Sequence, residues 1–82
     1  MKNKKSRRKK KLRAHTKLRA QQRYGLTINN ETIKQMVRDI QQNKAAFLKR
    51  ISSRVTKWRV KAKGQGIIVY YDSERQAIIT CL

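Results

Sequence analysis

Between residues 29 and 43 the apolar positions are Ile33, Met36, Val37 and Ile40, the i, i+3, i+4, i+7 spacing of a helix that buries one stripe. Asn29 or Asn30 can cap this helix, Glu31 complements its N-terminal dipole, and Asn43 is a suitable stop. Lys34, Gln35, Arg38, Gln41 and Gln42 fill the opposite face, so the stripe is read as core packing onto a sheet. After Asn43 the period falls from 3.6 to 2. Residues 46–51 form a short strand, and Ser52 and Ser53 break it. Residues 55–62 alternate, with Thr56, Trp58, Val60 and Ala62 facing one way and Lys57, Arg59 and Lys61 the other. A turn over residues 63–66 leads to an apolar strand at 67–71, central in the sheet and either covered on both faces or flanked by neighbours. Residues 72–76 turn again and 77–82 form the last strand.

Upstream, residues 12–24 lack Gly and Pro and are rich in Leu, Ala, Arg, Lys and Gln, which predicts a first helix. Ala14 and Leu18 give it a thin apolar stripe, and Gly25 ends it in a left-handed conformation. His15, Arg19 and Arg23 stand at i, i+4 and i+8, near one face. The pattern predicts an α+β domain over residues 12–82: two N-terminal helices packed on one face of a three- to four-stranded antiparallel β-meander. No internal repeat or second domain is visible.

Charge changes this picture. The 82 residues carry a formal net charge of +19, and 12 of the first 23 residues are Lys or Arg with no acid among them. Residues 1–11 have no apolar side chain after Met1 and are read as a disordered or extended basic arm. The partner such an arm suits is a polyanion, nucleic acid above all, gripped through phosphates with steep salt dependence and no sequence preference. Lys4, Lys5, Arg7, Arg8, Lys9, Lys10 and Lys11 are its contact candidates, continued by Arg13, Lys17, Arg19 and Arg23 on the first helix. Lys57, Arg59 and Lys61 lie about 7 Å apart along one side of a strand, a spacing that follows a phosphate backbone. Trp58 is assigned to the core. Tyr70 and Tyr71 point to opposite faces, one buried and one free to stack on a base, and the register decides which.

Several function classes are excluded. No apolar stretch reaches the 18 or so residues of a membrane span, and no apolar segment follows the basic start as in a secretory signal. Cys81 stands alone, which rules out an internal disulfide and suits a reducing cytoplasm; it is read as a packed strand residue. The four acids, Glu31, Asp39, Asp72 and Glu74, do not cluster for two-metal chemistry, and one His with one Cys makes no zinc site. No metal and no cofactor is therefore expected. His15, the single side chain that titrates near neutral pH, could serve metal-free RNA cleavage beside Arg19, Arg23 and the strand cations.

The run His15-Thr16-x-x-Arg19-x-x-x-Arg23-Tyr24-Gly25-Leu26 resembles the H-A-x-x-R-x-x-x-R-(Y/F)-G-(I/L) opening of a group of small bacterial and phage proteins of unassigned function. The likeness continues through Asn43-Lys44, an S-x-R-V-T strand from Ser52 to Thr56, a V-Y-D strand end at Tyr70, Tyr71 and Asp72, and a closing I-(V/I)-T-x-L from Ile78 to Leu82. In element order that group is similar to the RelE, ParE and BrnT-type toxins and the wider barnase–colicin–RelE ribonuclease class. The resemblance implies helices on a small antiparallel sheet whose open face meets RNA, with His15 and Thr80 matching positions often functional in the group and so the catalytic candidates, and Arg19 and Arg23 as its paired arginines. Thr16 departs from the group's Ala, and the long basic arm is more like the RNA-threading tail of a ribosomal protein. The expectation is an RNA-binding, ribosome-associated protein with a RelE-like domain, in the cytoplasm of a bacterium or phage-infected cell. A metal-independent endoribonuclease using His15 is the enzyme alternative, and a DNA-binding or virion protein the third.

Overall fold

The computed structural model describes residues 4–82, with side chains from Lys10 onward. Two helices, α1 (Lys4–Tyr24) and α2 (Asn30–Gln41), precede four strands, β1 (Ala46–Arg50), β2 (Val55–Ala62), β3 (Gln65–Asp72) and β4 (Ala77–Cys81). The strands form one antiparallel sheet in the order β1-β2-β3-β4. This is the α+β architecture that the change of period predicts. No described helix is long and apolar enough to cross a membrane.

Helix α2 forms as its sequence dictates. Asn29 caps it, its side chain accepting from the Thr32 N–H at 2.9 Å. Asn43 ends it at φ 57°, where Lys44 N–H donates to Asp39 O and Asn43 N–H to Ile40 O, a Schellman closure. Ile33, Met36 and Ile40 are buried against Trp58, Val60, Ile67, Val69 and Ile78. Trp58 is in the core with its indole N–H bonded to Thr56 Oγ1 at 2.8 Å.

Helix α1 departs from expectation twice. It begins at Lys4 rather than Leu12. Residues 4–11 lack Gly and Pro, and Lys and Arg are good helix formers, so a helix anchored further on propagates back through them at one hydrogen bond per residue. The backbone expected to be a disordered arm is thus helical from Lys4. Residues 1–3, and the side chains of Lys4, Lys5, Arg7, Arg8 and Lys9, lie outside the described residues. The buried stripe is also not the predicted one. Ala14 is exposed and Leu18 is 54% exposed, whereas Thr16 and Ala20 are fully buried. Thr16 is tolerated there because its hydroxyl donates to Ile78 O at 3.3 Å, and Cys81 Sγ donates to Thr16 O. Gly25, at φ 65°, closes the helix by donating to Gln21 O.

Helix α1 runs chiefly along β4, the sheet's C-terminal edge. Its docking is fixed by Tyr24, whose hydroxyl donates to Leu82 O at 2.7 Å and accepts from the Ile68 N–H at 3.0 Å. The β2–β3 turn is tighter than the predicted 63–66. Lys63 and Gly64 both have positive φ, the two-residue turn whose twist suits a hairpin, so Gln65 and Gly66 belong to β3. Strand β3 is central but covered by helices on one face alone; its other side is flanked by neighbouring side chains.

Candidate nucleic-acid interface

The alternation of β2 and β3 sets the two faces of the sheet. Trp58 pairs with Val69, Val60 with Ile67 and Thr56 with Tyr71 on the helix-covered side. Lys57 with Tyr70, Arg59 with Ile68 and Lys61 with Gly66 therefore share the open side. This settles the tyrosines. Tyr71 is buried with its hydroxyl accepting from Gln41 Nε2, and Tyr70 is half-buried on the open face with no hydrogen bond among the described residues.

Two irregularities then bring a transverse row into line. The register shifts between Phe47 and Lys49 on β1, and between Tyr70 and Tyr71 opposite β4. As a result Lys49 stands opposite Lys57, Lys57 opposite Tyr70, and Tyr70 opposite Thr80. Beyond Thr80 the row passes onto α1, where His15 Nε2 lies 3.1 Å from Thr80 Oγ1. The Thr80 hydroxyl also donates to Cys81 O at 3.3 Å. With its one proton placed there, Thr80 Oγ1 is an acceptor toward His15 Nε2, and Nδ1 is the ring nitrogen that Thr80 does not occupy.

Arg19, one helical turn past His15, is near enough to Cys81 to act on its thiol electrostatically. Burial pushes that thiol up to about 11, and Arg19 opposes the rise only in part. Cys81 is thus a protonated packing residue, not a nucleophile. Arg23 is exposed on the same side of α1. Arg59 lays its methylene stem over Gly66, where a Cβ would meet its Cδ at 3.6 Å. Lys10, Arg13 and Lys17 turn away, lining with Asn30 a depression between α1 and the start of α2.

Two of the four acids are engaged away from this surface, while Asp39 lines a depression with Arg59 and Lys61 without reaching ion-pair distance of either. The ion pairs among the described residues gather at the β3–β4 turn: Arg54–Asp72 at 3.2 Å, Arg54–Glu74 at 3.5 Å and Arg75–Asp72 at 3.6 Å. Asp72 Oδ1 accepts from the Glu74 and Arg75 N–H groups, and its fully buried Oδ2 makes no hydrogen bond but faces both guanidinium groups. Lys49, Lys57, Arg59, Lys61 and Arg19 have no acid within 4 Å among the described residues. None of them is ion-paired among the described residues, although Arg19 donates to Gln22 Oε1 at 3.4 Å.

Sequence reasoning singled out His15 by its residue type and its place beside Arg19 and Arg23, and Thr80 through resemblance alone, and the fold brings the two into contact. It missed Lys49, whose place in the row depends on a bulge that leaves no mark in residue type. No family model, curated protein or solved structure matches the chain.

Proposed function

We propose that this is an RNA-binding protein of RelE-like type, ribosome-associated in the cytoplasm of a bacterium or phage-infected cell. The observation that carries the reading is the unpaired row on the open sheet face. Lys49 and Lys57 lead across Tyr70 to Thr80 and His15, with Arg59 and Lys61 alongside. Cations without acidic partners beside one half-exposed aromatic ring are the parts from which nucleic-acid surfaces are built. The basic N-terminal half of α1 adds phosphate affinity. Binding to a labelled rRNA fragment and to duplex DNA of equal length, compared near 150 mM salt, tests this. Preference for the RNA is expected; equal binding would sink the RNA reading in favour of a DNA-binding or virion protein. Co-sedimentation with ribosomes on a sucrose gradient tests the location.

The His15–Thr80 bond favours a second reading, a metal-independent endoribonuclease. There His15 Nδ1 would take the 2′-hydroxyl proton, the 2′-oxygen would displace the 5′-oxygen at phosphorus, and water would protonate the leaving group. Arg19 and Lys57 would hold the charge on the phosphorane. His15→Ala should abolish cleavage and leave affinity nearly unchanged. Intact RNA in the ribosome fractions would reject this alternative and leave the binder.

A further inference from the structure

We propose that the stretch of the row from Tyr70 to Arg19 is a site for one unstacked ribonucleotide in single-stranded RNA, an inference that rests on the RNA-binding reading. The order of chemistry across the row matches the order of parts in a nucleotide. Tyr70 on β3 offers a ring face for the base, the Thr80–His15 pair offers polar atoms for the ribose, and Arg19 offers a cation for the phosphate. Tyr70 and Thr80 stand opposite each other on neighbouring strands, about 5 Å apart, His15 adjoins Thr80, and Arg19 follows His15 by one helical turn.

Three observations fix the class of ligand. Tyr70 is half-buried between Lys57 and Thr80, so its ring is reached by a base that has left its stack, not by the edges of a closed duplex. Its hydroxyl has no protein partner among the described residues, so no internal bond is broken when a base covers it. His15 Nδ1 and Thr80 Oγ1 lie side by side as ring nitrogen and hydroxyl, polar atoms able to pair with a 2′-hydroxyl, the group that DNA lacks. Lys57 and Arg59 lie on the far side of the ring, where they meet the base edge or the next phosphate.

The test uses the full chain and an RNA dodecamer carrying one 2-aminopurine, with its DNA counterpart and a fully paired RNA as controls. Wild type and Tyr70→Phe should quench the 2-aminopurine. Tyr70→Leu should abolish quenching and weaken single-strand binding about tenfold, the scale of one lost base stack, while leaving duplex binding within about twofold. The DNA strand should bind more weakly than the RNA, and Thr80→Val should narrow that gap. Should Tyr70→Leu fail to fold, ultraviolet crosslinking of the wild type gives the answer. Attachment at Tyr70 supports the site, and attachment confined to α1 overturns it. Unchanged quenching in Tyr70→Leu would overturn the stacking site even if Lys57→Gln/Arg59→Gln/Lys61→Gln loses affinity, which would leave the broader RNA surface standing. If that triple variant also binds as wild type does, the RNA surface and this site fall together.

Discussion

Tyr24→Phe removes one oxygen and nothing else, yet that oxygen joins three elements. It donates to Leu82 O at 2.7 Å and accepts from the Ile68 N–H at 3.0 Å, so it ties the end of α1 to β3 and to the chain beyond β4. Each hydrogen bond contributes about 1 kcal/mol net. The two backbone groups left behind are part-buried, which limits rescue by water, so the loss should total about 2 kcal/mol. For a domain of this size that is a fall in Tm of roughly 8–16 °C.

Thermal and urea unfolding followed by circular dichroism would measure it, with Tyr70→Phe as the control. Tyr70 carries a hydroxyl of the same chemistry but without a hydrogen bond among the described residues, so its removal should move Tm by no more than about 2 °C. Equal shifts in the two variants, or no shift in Tyr24→Phe, would refute the clamp. Because α1 also carries His15, loosening it should weaken the His15–Thr80 contact, visible as a change in the His15 ring signals by NMR.

Asp72→Ala takes the acceptor from two turn N–H groups and the shared anion from Arg54 and Arg75. The guanidinium groups are over a third exposed, so screening discounts their part, and a loss of about 2 kcal/mol is expected, with Asp72→Asn near half of it because its oxygen still accepts. Both are read by urea midpoint. Burial raises the Cys81 thiol from 9.0 to about 11 in the folded state. A raised folded value means its contribution to stability is complete below pH 9 and is lost as pH climbs toward 11, by up to roughly 3 kcal/mol. Cys81→Ala should lack this part of the alkaline decline, and parallel curves for the two proteins would refute it. Replacing Lys57, Arg59 and Lys61 together by Gln should flatten the slope of log affinity against log salt by about 2, at roughly 0.7 per phosphate contact on a single strand. A slope unchanged from wild type would show that the stripe touches no phosphate.

The parts of the fold legible in the sequence were those set by local chemistry. Ile33, Met36 and Ile40 announced α2, Asn29 and Asn43 bounded it, and the alternation about Trp58 fixed which way Lys57, Arg59 and Lys61 point. What was hidden depends on pairing at a distance. The choice between Tyr70 and Tyr71 needed the β2–β3 register, and Lys49 joined the row through a bulge. The α1 stripe was misread because the helix rests on an edge strand through Thr16 and Ala20, positions that an apolar count undervalues. The start of α1 was misread because repulsion among the arm cations was weighed above their helix propensity. His15 and Thr80 are 65 positions apart, and no periodicity in the chain could have joined them.

Strand β1 remains the bare edge of the sheet, since α1 covers the β4 side. Its residues are exposed throughout, and Phe47, Leu48 and, just beyond, Ile51 leave 54%, 38% and 42% of their surface open to water. Edges of this kind recruit other strands unless something prevents it, and here a bulge, Lys49 and Arg50 do so locally. At longer range the net charge of +19 keeps copies apart. A polyanion that binds the open face cancels that repulsion while leaving β1 uncovered. Solubility should therefore dip near charge equivalence and return when the polyanion is in excess, so that turbidity passes through a maximum along a titration. The ligand that occupies the molecule would also govern whether its copies stay dispersed.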